Sequence, residues 1–147
     1  MARQVAVVGS GVEWEAAAEQ VGRMLAERGC TVVTGGLDEV MAAAHRGAKD
    51  AGGTTVAILP GESRGAANPW ADHVVVTGMG HARNLAVAAS GDAVIAVGGS
   101  WGTTAEMALG LRLGRRVVAL EGAPEVGGAL RAATPAEAVE LALRDLG

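Results

Sequence analysis

Short apolar runs alternate with longer amphipathic stretches along almost the whole chain, and no other feature of the sequence restricts the fold as strongly. The runs are "QVAVVG" (4–9), "TVVTGG" (31–36), "TTVAILPG" (54–61), "HVVVTG" (73–78), "DAVIAVGG" (92–99) and "RRVVAL" (115–120). Each is close to continuously apolar instead of apolar at every second residue, which marks strands buried on both faces. The Ala-rich stretches at 13–29, 37–53, 79–91, 104–114 and 135–146 carry helical periodicity. Strands alternating with helices imply a parallel sheet with right-handed crossovers. The expected fold is therefore α/β, a doubly wound, mostly parallel, Rossmann-like three-layer sandwich of about six or seven strands. It forms one domain over residues 1–147. The segment 124–133 stays open between strand and loop, and 62–72 is the one long polar loop.

The core of such a domain must be aliphatic here, because the 147 residues include no Phe, no Tyr and three Trp. The 23 glycines cluster at the ends of apolar runs, as turns require. A net charge of −4 without a basic stripe disfavours a nucleic-acid partner. No apolar run approaches a membrane-spanning length. Cys30 is the single cysteine, and "MARQVAVVGS" has no secretory apolar core, so the chain reads as cytoplasmic.

In doubly wound sheets ligands bind beyond the C-terminal strand ends, at the point where strand order reverses. The segments 9–13, 34–39, 60–70, 77–84 and 98–106 are therefore the informative ones. "GSGVEW" (9–14) begins like a dinucleotide fingerprint but has Trp14 where the third glycine belongs, and no acid ends the second strand. A standard NAD site is not expected, and no P-loop occurs. Gly98, Gly99 and Gly102 leave backbone N–H groups open at the start of a helix, a natural seat for phosphate.

Ser/Thr-x-x-Glu occurs at Ser10–Glu13, Thr103–Glu106 and Thr134–Glu137, and each can form a capping box. On local sequence alone Glu106 reads as a cap more readily than as a site residue. Arg83 stands near a helix start, against the dipole, as a phosphate or sugar clamp would. His81 reads as a surface residue, His45 as exposed in mid-helix, and Cys30 as a small buried residue. His73 and His81 lack metal-ligand spacing with an acid, so no metal is expected. Trp70 and Trp101 lie in the ligand-side loops, where a ring could stack or a second subunit could pack.

The segment "HARNLAVAASGDAVIAVGGSWGTTAE" (81–106) resembles the signature of the Lonely Guy, or lysine-decarboxylase-like, superfamily: an arginine segment, a strand, then a glycine-rich block ending in threonine-x-x-glutamate. "GGLDEVMAAAHRGAKDAGG" (35–53) is similar to that superfamily's second glycine block and helix. "AILPG", "AANPWAD" and "TGMGHARN" look most like a short branch that includes molybdenum cofactor carrier proteins.

The resemblance covers nearly the whole chain. It implies that Arg83 and Glu106 match the residues assigned to catalysis in the superfamily's phosphoribohydrolases, and that Gly99, Gly102 and Thr103 match its phosphate loop. Gly9, Ser10, Gly35, Gly36, Asn84, Gly98 and Ser100 complete the expected binding set. Departures are Gly98 for a proline, Ser100 for a glycine and Asn84 for a lysine.

The leading reading is a binding protein for a phosphorylated nucleotide-like or pterin ligand, of the molybdopterin kind. The alternatives are a nucleoside 5′-monophosphate phosphoribohydrolase and a structural oligomerisation module with a vestigial site. No lysine in the motif region could carry a pyridoxal Schiff base, so a lysine decarboxylase is not expected. Family members commonly complete the site across an interface, which implies a homo-oligomer, dimer or tetramer.

Overall fold

The computed structural model describes residues 1–146. Seven strands form one sheet: β1 (Gln4–Ser10), β2 (Thr31–Thr34), β3 (Thr55–Leu59), β4 (His73–Val76), β5 (Ala93–Gly98), β6 (Arg116–Leu120) and β7 (Leu130–Ala132). The helices are α1 (Glu15–Glu27), α2 (Val40–Asp50), α3 (Arg83–Ser90), α4 (Trp101–Arg112) and α5 (Pro135–Leu143). Strand order is β4-β3-β2-β1-β5-β6-β7, and every pairing is parallel. The segment left open at 124–133 contains β7. Leu130 and Arg131 are exposed and only Ala132 is buried, so β7 lacks the apolar run that marks the inner strands.

The chain steps outward from β1 to β4, then returns to lay β5 against the other side of β1, in register from Val5↔Ala93 to Ser10↔Gly98. The switch point therefore lies between the C-terminal ends of β1 and β5. Alternation along β1 makes the three layers. Val5 and Val7 enter one core with Val21, Leu25, Val40 and Val139 from α1, α2 and α5. Ala6 and Val8 enter the other with Val87 and Met107 from α3 and α4.

With few large side chains available, α1 and α2 pack almost backbone to backbone. A Cβ on Gly22 would lie 1.9 Å from the Ala44 carbonyl oxygen, and one on Gly47 would lie 2.0 Å from that of Glu19. Gly47→Ala is therefore expected to destabilise the fold by about 3 kcal/mol, the upper end for overpacking, because backbone cannot rotate away as a side chain can. Urea unfolding of the variant checks this.

His45 is fully buried, contrary to the exposed position expected from its mid-helix place. Its Nε2 lies 3.1 Å from Thr34 Oγ1, and its Nδ1 lies 3.2 Å from Asn68 Nδ2. The same Asn68 nitrogen also faces the carbonyls of Gly36 and Leu37, so its two N–H groups are shared among three acceptors, while its Oδ1 accepts from the Trp70 N–H. With Asn68 donating to Nδ1, the ring is neutral, and Nε2 donates to Thr34, which also accepts from the Gly36 N–H. Burial holds the imidazole down at about 4 despite these bonds. This network clamps the β2–α2 loop, so a polar residue on the core side of a helix serves the ligand side of the sheet.

Candidate functional site

The ends of β1 and β5 and the starts of α3 and α4 enclose a cleft of about 230 Å³. Gly9 and Ser10 form its β1 bank, and Ser100, Gly102 and Thr103 form its β5 bank. Arg83 and Asn84 enter from the first turn of α3, and Glu106 from the second turn of α4. Eight of the expected site residues thus share one cleft, together with Met41 and His81.

The other four expected residues stand behind or beside it. The Gly35 carbonyl accepts from Arg83 Nη2 at 3.4 Å. A Cβ on Gly35 would lie 2.6 Å from that same nitrogen, so only glycine lets the guanidinium approach. Gly36 packs on Ala57 and Leu59. Gly98 and Gly99 have φ of 60° and 109°, which turn the chain from strand into helix. Gly98 supports Trp14, the residue that displaced the fingerprint glycine, and the same indole covers Gly11 and Gly122. Gly99 lies against Thr103 and faces a neighbouring cleft of about 450 Å³ shared with Trp101, Gly122 and Pro124.

Helix α4 begins two residues before Thr103, with Ser100 at its N-cap and no side-chain cap bond. Glu106 is therefore not a cap. It lies inside the helix, 8% exposed, on the face turned toward Arg83 and the cleft. The Ser10–Glu13 pair makes no side-chain cap bond either. Only Thr134–Glu137 works as a capping box: Glu137 N–H donates to Thr134 Oγ1 at 3.1 Å, and Glu137 Oε2 accepts from Ala133 N–H at 3.0 Å.

Burial pushes the Glu106 carboxyl up to about 7, and the Arg83 guanidinium pulls it part of the way back. Burial likewise lowers the affinity of Arg83 for its proton, which Glu106 partly restores. Arg83 Nη1 donates to Asn84 Oδ1, so Asn84 orients the guanidinium. Its Nε is buried and has no partner among the described residues. An orphaned charged donor beside a carboxyl held near neutrality is an arrangement found at sites built for a ligand rather than for stability.

Trp70 is outside the cleft. The long loop leaves the C-terminal end of β3 but returns to the start of β4, and Trp70 there lies under the Arg46 guanidinium, 5.2 Å from the ring centroid. Trp101 is 86% exposed at the mouth of the neighbouring cleft. Met41 was missed because its neighbours in α2 are all core residues, and nothing local separates it from them.

A family model matches residues 2–142. The chain belongs to the SLOG cluster4 family. This is the Lonely Guy-like SLOG superfamily expected from the motifs. An uncharacterized protein of Archaeoglobus fulgidus is 42% identical over 139 residues, covering 92% of this chain and 91% of that one. The molybdenum cofactor binding protein of Rippkaea orientalis superposes with a TM-score of 0.89 at 30% identity, over 96% of this chain and 95% of that one. The molybdenum cofactor carrier protein of Chlamydomonas reinhardtii does so at 0.85 and 34% identity, over 95% and 94%. The SLOG cluster4 chain thus resembles molybdenum cofactor binding and carrier proteins over 95–96% of its length. Among the described residues, no helix is long and apolar enough to cross a membrane.

Proposed function

We propose that this SLOG cluster4 protein binds a phosphorylated, ring-bearing small molecule of the molybdopterin type and acts as its carrier. The observation that carries this reading is the cleft itself. A glycine turn at the α4 N-terminus, where the first helical N–H groups have no intrahelical acceptor, faces an arginine whose Nε is buried and has no partner among the described residues. A phosphate fits both donor sets at once. The cofactor-carrier neighbours support the pterin class, and the neighbouring cleft at Trp101 offers a flat apolar surface for its ring.

Molybdopterin, when bound, brings the dithiolene that holds molybdenum. The protein's own part is to seat the phosphate on Ser100, Gly102 and Thr103, to neutralise it with Arg83, and to hold Arg83 with Asn84 and Gly35. Arg83→Ala is expected to weaken binding of the ligand about a hundredfold, the upper end for loss of a charge-assisted bond. Calorimetry with molybdopterin and with AMP checks it. An unchanged affinity removes this reading.

A second reading rests on Glu106. A buried carboxyl near 7 can exchange a proton at neutral pH, as a phosphoribohydrolase acting on a nucleoside 5′-monophosphate needs. Release of ribose 5-phosphate from AMP by the native protein, and its loss in Glu106→Gln, tests that reading. A structural module with a vestigial site would show neither binding nor turnover. The proposed homo-oligomer is supported by the exposed face of α4, where Trp101, Ala105 and Ala108 are uncovered; native mass spectrometry reads the subunit number.

A further inference from the structure

We infer that Glu39 sets the charge of the β1 bank and thereby restricts the cleft to ligands carrying a single phosphate group. The inference rests on the phosphate-binding reading above and names the ligand class that the site rejects. Glu39 has φ 56° and ψ −123°, a left-handed conformation that glycine adopts freely and a glutamate adopts only under constraint. The constraint is visible on both sides. Asn68 holds the carbonyls of Gly36 and Leu37 before it, and the buried Val40 follows it. What the conformation achieves is a carboxylate oxygen 2.7 Å from the Gly11 N–H, which donates to it.

That N–H belongs to the turn after the central strand. In a doubly wound dinucleotide-binding fold, this turn presents its donors to a pyrophosphate. Here an internal carboxylate already holds the donor and leaves its negative charge at the switch point. Gly11 follows Ser10, and Glu39 precedes Met41 by two residues; both Ser10 and Met41 line the cleft. On the opposite bank no side chain caps the α4 N-terminus at Ser100, and the carboxyl there, Glu106, is set against Arg83. One phosphate therefore has a seat at residues 98–103, and a second, reaching across to the β1 bank, meets an anion. The site selects a phosphomonoester, such as a pterin or nucleoside monophosphate, over any ligand joined through a pyrophosphate.

The test is titration of the ¹⁵N-labelled native protein and of Glu39→Gly with inorganic phosphate and with pyrophosphate. Glycine accepts the positive φ, so this variant keeps the loop and is expected to melt no lower than the native protein. Glu39→Ala keeps the strain, loses the bond and is expected to melt lower than both. In the native protein pyrophosphate is expected to bind no more tightly than phosphate. In Glu39→Gly its affinity is expected to rise about tenfold, with the Gly11 amide signal moving, as removal of one nearby like charge predicts. If phosphate binds residues 98–103 of both proteins and the pyrophosphate preference is unchanged, the role of Glu39 is wrong and the phosphate reading stands. If the native protein binds neither anion while Glu39→Gly binds at Gly11, the phosphate reading fails and the role of Glu39 stands. If neither protein binds either anion, both are wrong.

Discussion

Glu106→Gln is expected to stabilise the protein by about 3 kcal/mol at pH 8. The Glu106 carboxyl has an ordinary value of 4.5 and is pushed up to about 7 in the fold. Above both values the native protein must keep a buried carboxylate ionised, and the glutamine amide has no such cost. The sign follows from proton binding. Between 4.5 and 7 the folded state binds more protons than the unfolded chain, so native stability falls as pH rises through that window. A gain of this size corresponds to a rise of roughly 10 °C in melting temperature for a domain of this length. A substitution that stabilises the fold while removing an activity is the signature of a group kept for function. If ligand binding survives in Glu106→Gln, the carrier reading gains. If ribose 5-phosphate release is present and disappears, the hydrolase reading gains. A melting temperature at pH 8 equal to that of the native protein would falsify the assignment of Glu106 as a destabilising buried acid.

The second large effect has the opposite sign. His45 is held down from 6.5 to about 4 by burial. Between those values the unfolded chain binds more protons than the folded state, so stability is lost as pH falls from 6.5 toward 4, by about 3 kcal/mol. The hydrogen bonds around the ring, Asn68 foremost, offset this desolvation only in part. In the native protein this loss runs against the gain from protonating Glu106, and the two nearly cancel between about 4.5 and 6.5. Urea midpoints of the native protein should therefore vary little across that range as far as these two groups govern them. In Glu106→Gln the His45 slope should stand exposed, with stability falling below pH 6.5. Equal pH profiles for the two proteins would mean that the compensation does not exist.

Much of the architecture was legible because it depends on periodicity. Continuous apolar runs such as "AVIAV" mark the inner strands, and the Ala-rich stretches between them cover the sheet. The equally apolar "HVVV" of β4, however, lies at the sheet edge with Val75 and Val76 exposed, contrary to the expected burial on both faces. Ser100, Gly102 and Thr103 stand just past the end of β5, whereas Arg83 reaches the same cleft from the start of α3, well beyond the edge strand β4. The short strand β7 was not legible, because two of its three residues face solvent. The capping pattern was misleading at two of its three occurrences. Local spacing offers the bonds, but the glycine turn at 98–99 starts α4 at Trp101 and carries Thr103 and Glu106 into the helix.

The sequence by itself determined which segments follow the strands and that glycines there leave backbone donors free, because element boundaries and turn chemistry are written in residue type and spacing, whereas the strand order that sets the switch point between β1 and β5 is not. Only the tertiary structure decided what the polar groups do. Burial near Arg83 turned Glu106 from a helix cap into a carboxyl held at about 7. Burial under Thr34 and Asn68 turned His45 from a surface residue into a loop clamp. A strained backbone at Glu39 brought its carboxylate to the Gly11 N–H. In each case the energy depends on distance, solvent exclusion and a partner remote in sequence, and none of these has a local signal.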